Sequence, residues 1–389
     1  MATISVEPEI SRERVVEWVR RFVRYPSEWS ERIEESPAVL GFIRECVGPV
    51  IEELGYSPTF DPMGNMIVEA GAPNGGRELM FLTYAMTHPA SSMTDPFQGE
   101  ILDRGGRQFL RGRGVSEQKA GIAAALAAFH AAVQRTTFNG RLTFVLCTAG
   151  ETGRHLSAAA VARHMGRIPE LVIVVIGSSG QVSLGNKGRY DILATVRGRA
   201  AHSSMPWLGV DAIAGAAKLL DQVESLDLGA DAHPQLGAPT LVATSIESGP
   251  KATHTIQNEV RMTFDLRILP GQDPDQAYAR VAPAFQVPAP WRAVVDKGAL
   301  QYPCLLADES TLIRHIIRGH ADAGLPEPDF FYSHAALDAG FFAKKGSAAT
   351  MWGPGEIEMF HTDEEAVAVD DIWDTANAYL GTILSYLGS

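Results

Sequence analysis

Apolar and polar positions repeat with two periods along this chain, and the switches between them lay out its elements. From Arg12 to Tyr25, Val15, Val16, Trp18, Val19, Phe22 and Val23 recur among charged residues at helical spacing, and Pro26 ends the run. A second helical pattern covers Ser36 to Leu54 and closes at Gly55. Short strand patterns follow at Ser57–Phe60 and Asn65–Glu69, separated by the turn chemistry of Pro62-Met63-Gly64. Glu78–Thr83, Arg141–Cys147 and Leu171–Ile176 read as buried strands, with an alanine-rich helix from about Ala123 between the first two. Strands split by helices of this length predict an α/β fold with a mainly parallel sheet covered on both faces.

The texture changes near Gly188. Strand Arg189–Val196, helix Gly209–Leu226, strands Thr240–Ile246 and Val260–Ile268, and helix Asp273–Val281 follow in β-α-β-β-α order. That order suits a small four-stranded, ferredoxin-like α+β module inserted into the larger domain. From about Gln301 the first texture returns, with helix Ser310–Ala323, a loop to Asp338, strand Ala348–Trp352 and a closing helix Asp371–Leu387. The expected organisation is therefore one domain from residues 1–188 and 299–389, interrupted by a second at 189–298.

Composition narrows the function classes. A chain of 389 residues exceeds one ordinary core, in keeping with two domains. A formal charge of −13 argues against nucleic acid or an anionic membrane as partner, because phosphate demands clustered Lys and Arg. Cys46, Cys147 and Cys304 are far apart and odd in number, which points to reduced thiols. The first residues lack a basic segment followed by an apolar one, and no apolar run reaches membrane-spanning length, so a cytoplasmic globular protein is expected.

Candidate chemistry starts in Arg111-Gly112-Arg113-Gly114-Val115-Ser116-Glu117-Gln118-Lys119-Ala120-Gly121. The glycines permit close backbone approach, and Ser116 is expected to cap the helix behind it. Glu117 would then sit at a helix N-terminus, where the dipole favours its charge. A carboxylate there is a good metal ligand and equally a good ordinary first-turn residue; its company elsewhere in the chain decides.

That company is Asp95-Pro96-Phe97, Gly198-Arg199-Ala200-Ala201-His202-Ser203-Ser204-Met205-Pro206, Asp265-Leu266-Arg267 and Gly353-Pro354-Gly355…His361-Thr362-Asp363-Glu364-Glu365. Together with the glycine-rich stretch, these resemble the metallopeptidase family of acetylornithine deacetylase, succinyl-diaminopimelate desuccinylase and carboxypeptidase G, over nearly the whole chain. The resemblance implies a zinc-exopeptidase-like metal-bearing domain with an inserted lid module that mediates homodimerisation. It also implies a two-metal centre, from which this chain departs. The bridging Asp falls at Glu117, and one metal's remaining ligands fall at Glu151 and His361, all present. Two carboxylates and one imidazole suit Zn²⁺, with Mn or Co as alternatives. The other ligand set falls on Tyr84-Ala85-Met86 and Ser178, which lack the His and the acidic residues. The general-base Glu falls at Gly150.

One entire ligand set and the base that serves it are replaced together, so one divalent metal per chain is expected on Glu117, Glu151 and His361. His88, then Tyr84, then His155 are the candidates to replace the base. By the same resemblance His202 polarises the scissile carbonyl across a dimer, Arg267 clamps a substrate carboxylate, and His254 stands where relatives carry a substrate-binding Asn. Asp338 matches a pattern near the site without a role. Three readings stay open: a single-metal hydrolase of an amide or related C–N bond in a small carboxylate-bearing molecule, a non-hydrolytic lyase, deaminase or isomerase on the same scaffold, and a catalytically silent ligand-binding homologue.

Overall fold

In a computed structural model, residues 3–30, 35–72, 76–150, 154–229, 231–307 and 309–388 are described. They divide into two compact units: Met1–Gly185 with Cys304–Tyr332 and Leu337–Ser389, and Asn186–Pro303 with Ser333–Ala336. The insertion thus begins and ends a few residues outside the 189–298 segment read from the texture, and a short return segment near Ser333 joins it.

The first unit is built on a six-stranded sheet. Its strands are β1 (Thr59–Phe60), β2 (Met66–Gly71), β3 (Glu78–Tyr84), β6 (Arg141–Cys147), β7 (Leu171–Val174) and β15 (Ala348–Met351), in the order β1-β2-β6-β3-β7-β15. β6, β3, β7 and β15 run parallel, while β2 pairs antiparallel to β6 at one edge. Period-2 alternation divides β3 between two cores. Leu79 and Phe81 pack on one face with Phe22, Phe129 and Tyr379; Met80, Leu82 and Tyr84 pack on the other with Val172, Phe342 and Met351.

Helices cover both faces: α1 (Arg12–Arg24), α2 (Pro37–Gly41), α3 (Gly48–Glu53), α4 (Ala120–Arg135), α5 (Leu156–Met165), α8 (Thr311–Asp322), α9 (Ala339–Lys344) and α10 (Val369–Leu387). Two small sheets escape the reading of the sequence. One orders β16 (Ala366–Ala368), β5 (Arg107–Arg111) and β4 (Glu100–Arg104); the other orders β13 (Cys304–Leu305), β8 (Val182–Asn186) and β14 (Phe330–Ser333). No helix among the described residues is long and apolar enough to cross a membrane.

The second unit is a four-stranded antiparallel sheet ordered β10 (Thr240–Gly249), β11 (Glu259–Ile268), β9 (Gly188–Arg197) and β12 (Arg292–Gln301), with helices α6 (Ala212–Glu224) and α7 (Pro274–Val281). β12 is the fourth strand that the β-α-β-β-α pattern required and left unplaced. Ile192, Val196, Met262 and Phe264 face the helices with Ala216 and Leu219, whereas Leu193, Val242, Ile246 and Val294 are exposed.

Candidate metal centre and active site

The glycine-rich stretch is shaped by close contacts. Gly114 has φ +77°, and a Cβ there would lie 2.1 Å from Cγ2 of Thr87, so only glycine fits. Val115–Lys119 forms a π-helical turn that feeds α4. Ser116 is not its cap, contrary to expectation: its hydroxyl donates to the Glu356 carbonyl at 3.0 Å. The opening N–H groups go instead to one distant carboxylate. Glu365 accepts from the backbone of Gly114 (2.9 Å), Ser116 (3.0 Å) and Glu117 (3.3 Å), and from Nη1 of Arg113 (3.0 Å). Arg113 and Glu365 are both buried. Burial pushes the Glu365 carboxyl up, and the N–H donors and Arg113 oppose that shift. The carbonyl of Glu117 accepts from Gly177 at 3.0 Å, just past β7, which ties Glu117 to the carboxyl edge of the sheet where α/β folds bind ligands.

Glu117 is 2% exposed, and its Oε1 lies 3.4 Å from Nε2 of His361. His361 itself adopts φ +61°, a backbone conformation that a non-glycine residue keeps only where its surroundings fix it. The His88 ring lies tilted against His361 with centroids 3.5 Å apart at 34°, and meets Trp29 edge-on at 6.1 Å. Two of the three expected ligands therefore meet, with His88 beside them. Glu151 lies outside the described residues. Among the described residues no group of three or more His, Cys, Asp or Glu side chains is placed to hold a metal ion. A buried carboxylate facing an imidazole nitrogen fits two positions of a zinc-type donor set.

At the other ligand positions stand groups with different work. Ser178 Oγ donates to the Gln181 carbonyl at 2.6 Å and accepts from the Gly353 N–H at 3.0 Å. Met86 is buried in the core. Tyr84, 1% exposed, donates its hydroxyl to Oδ2 of Asp338 at 2.7 Å. Asp338, 2% exposed, also holds Nδ1 of His155 through Oδ1 at 2.5 Å. A Cβ on Gly150 would fall 2.4–2.6 Å from three atoms of the Tyr84 ring. The ring thus occupies the space into which a side chain at 150 would point. Asp338 and Glu365 carry no assigned role in the sequence, although both stand in motifs of the resemblance: Ala336-Leu337-Asp338-Ala339-Gly340 and His361-Thr362-Asp363-Glu364-Glu365.

In the second unit, His202 and His254 stack with centroids 6.3 Å apart at 19°, both exposed, and His202 Nδ1 pairs with Ser204 Oγ at 2.8 Å. Arg267 is already engaged: Nε and Nη2 grip Asp265 at 2.8 and 2.9 Å, and Nη1 donates to the His334 carbonyl at 3.3 Å. Arg189 makes the matching fork to Asp191 at 2.7 and 2.9 Å and lies 3.5 Å from Asp265.

Residues 184–292 match the model of the peptidase dimerisation domain, M20_dimer. The chain is 27% identical over 326 residues to an acetylornithine deacetylase of Myxococcus xanthus, covering 78% of this chain and 79% of that protein. It is 29% identical over 181 residues to a succinyl-diaminopimelate desuccinylase of Cereibacter sphaeroides, covering 44% of this chain and 46% of that one. An M20 family metallo-carboxypeptidase from Sulfolobus solfataricus superimposes with TM-score 0.75 at 16% identity, covering 96% of this chain and 99% of its own. The chain is thus a homologue of the acetylornithine deacetylases and succinyl-diaminopimelate desuccinylases, built on the M20 metallopeptidase fold with its inserted dimerisation domain.

Proposed function

We propose that this protein is a metal-dependent hydrolase that cleaves an amide or related C–N bond of a small carboxylate-bearing molecule, using one divalent metal held by Glu117, Glu151 and His361. The observation that carries the reading is the 3.4 Å approach of His361 Nε2 to the buried Glu117 carboxylate at the carboxyl edge of the sheet. The names of two relatives, an acetylornithine deacetylase and a succinyl-diaminopimelate desuccinylase, support an N-acylated amino acid as the substrate class. A metal bound there, zinc above all, would polarise the scissile carbonyl or activate water.

The chain's own residues do the rest. The Glu365 carboxylate and the Gly177 N–H fix the backbone of Glu117, and His88 packs against His361, so the ligand pair is held before substrate arrives. His88 stands next to it as the first acid/base candidate, and Tyr84, which contacts Asp338, is the second. His202 stabilises the developing oxyanion, His254 lies beside it, and Arg267 binds the substrate carboxylate. Two copies associate through the inserted module, whose exposed Val242, Ile246 and Val294 provide an apolar face. We also propose that the domains run over 1–188 with 299–389 and over 189–298 to within a few residues, and that the protein works in the cytoplasm.

A second reading has one observation in its favour: the Tyr84 ring fills the space beside Gly150, the position at which the family resemblance would put the general-base Glu. That supports non-hydrolytic chemistry, a lyase, deaminase or isomerase step, on the same scaffold. Elemental analysis of the purified protein tests the metal claim. About one equivalent per chain supports it; two equivalents overturn the single-metal site, and none supports a silent binding homologue. Incubation with N-acetylornithine and other N-acyl amino acids in ¹⁸O-water separates the two chemistries, since only hydrolysis places the solvent oxygen in the product acid.

A further inference from the structure

A cleft of about 300 Å³ opens in the first unit between the end of α8, the first turns of α10 and the loops 179–181 and 325–329. That volume lies at the small end of ligand sites. Asp371, Asp374, Thr375 and Ala378 line it at the spacing of one helical face. Its apolar part is fixed in place. Trp352, 1% exposed, donates Nε1–H to the Gly180 carbonyl at 3.1 Å and stacks on His320 with centroids 5.4 Å apart at 26°. Ala378 beside it is fully buried.

Two polar groups of this lining want partners that the chain does not supply. Thr375 is 6% exposed, yet among the described residues its hydroxyl takes part in no hydrogen bond. His320 places Nδ1 2.9 Å from the Pro326 carbonyl, which can only accept, so the ring hydrogen is on Nδ1. Its acceptor nitrogen, Nε2, is shielded from solvent and has no partner among the described residues.

The charge of the lining has one sign. No Lys or Arg lines the cleft, and the guanidinium groups of Arg12 and Arg107 are spent on Asp370 and Asp371. The carboxylates of Asp374, Glu327 and Asp329 have no ion-pair partner among the described residues. They stand on two separate elements, α10 and the loop 325–329, and no three are placed to share a metal ion. A cation that satisfies both sides must therefore be extended, with an apolar middle to lie against Trp352 and Ala378.

We propose that this cleft binds a small aliphatic dication, two ammonium or guanidinium groups joined by a hydrocarbon chain. One cationic group donates to Thr375 Oγ1 and Asp374, and the other is held by Glu327 and Asp329. None of these residues belongs to the Glu117–His361 pair, so the site stands apart from the proposed metal centre and does not depend on the hydrolase reading.

Titration calorimetry and thermal unfolding of the full-length protein with 1,4-diaminobutane, at constant ionic strength, test the site. Saturable binding and a Tm that rises with diamine concentration are expected. The singly charged n-butylamine should bind about 5-fold more weakly or worse, and butyrate should not bind. Each exposed carboxylate contributes up to about 5-fold, so the triple variant Asp374→Asn/Glu327→Gln/Asp329→Asn should lose about 10–100-fold in affinity. Thr375→Val is the sharper variant. It removes a buried hydroxyl without a partner, so it should raise the Tm of the ligand-free protein while weakening the diamine about 2–10-fold.

A diamine without saturable binding overturns the proposal, and so does butyrate bound as tightly as the diamine. Affinity unchanged in the triple variant would place the diamine elsewhere on the protein and overturn it equally. If Thr375→Val does not fold, the triple variant decides, since its three positions are exposed.

Discussion

Gly150 and Tyr84 compete for one volume: a methyl group on Gly150 would stand 2.4 Å from Cε1 of the Tyr84 ring. Neither residue can change size alone. Gly150→Ala should therefore destabilise the protein by about 1–3 kcal/mol through overpacking. In a Tyr84→Ala background, where the ring is gone, the same added methyl should be tolerated. Urea unfolding of the four proteins of this cycle should give a coupling of at least about 0.5 kcal/mol; additive effects would show that the ring moves aside freely. Gly150→Glu by itself should restore no base, because the longer side chain meets the same ring.

The four donors gathered by Glu365 make it the keystone of the Glu117 turn. Glu365→Ala leaves Arg113 as an uncompensated buried charge and strands three backbone N–H groups. Removing one partner of a buried ion pair typically costs about 3–5 kcal/mol, and that loss is expected here in equilibrium unfolding. Metal content should fall in parallel, since the Glu117 N–H is one of the stranded groups. Glu365→Gln, which keeps one acceptor oxygen, should lose less of both. Full metal occupancy in a folded Glu365→Ala protein would separate the turn from the site.

What the sequence revealed and what it hid follow from the range of the forces involved. β3, β6 and β7 were legible because local burial writes itself as apolar runs, and the insertion was legible because its texture differs. Glu117 and His361 were named from motif resemblance and do meet. The cap of the Glu117 turn was misread as Ser116 because the true cap, Glu365, is separated from it by most of the chain, and propensity has no term for such a partner. The β4-β5-β16 sheet was missed for a similar reason: β4 and β5 expose most of their residues and carry little hydrophobic signal. The Tyr84–Asp338–His155 network joins three separate elements, and no spacing in the sequence announces it.

Arg267 carries a sharper expectation than resemblance alone supplied. Its fork is filled by Asp265, so a substrate carboxylate must displace that partner or use Nη1. Arg267→Met should raise KM for a carboxylate-bearing substrate about 10–100-fold, the scale of a charged hydrogen bond, and leave kcat little changed. Asp265→Asn weakens the internal competitor and should lower KM. Steady-state kinetics on an N-acyl amino acid and its methyl ester check both, and an ester bound as tightly as the acid would remove Arg267 from carboxylate recognition.

The start of α10 concentrates Asp370, Asp371 and Asp374. Partial burial pushes the Asp374 carboxyl above its ordinary value of 3.8, the Asp370 charge adds to the rise, and Arg12 and Arg107 oppose it. The folded chain therefore binds this proton more readily than the unfolded chain does. Between the unfolded pKa and the raised folded one, the native state holds more protons, so stability from this group falls as pH rises through that window. The full penalty is present at neutral pH. Asp374→Asn, which never ionises, should raise Tm at pH 7, and the gain should shrink as pH falls through the raised folded pKa and be gone below about 4. Scanning calorimetry of both proteins from pH 7 downwards reads this directly. A gain of the same size at every pH would assign the effect to packing, and a loss at pH 7 would mean that the attraction of Arg12 and Arg107 outweighs desolvation.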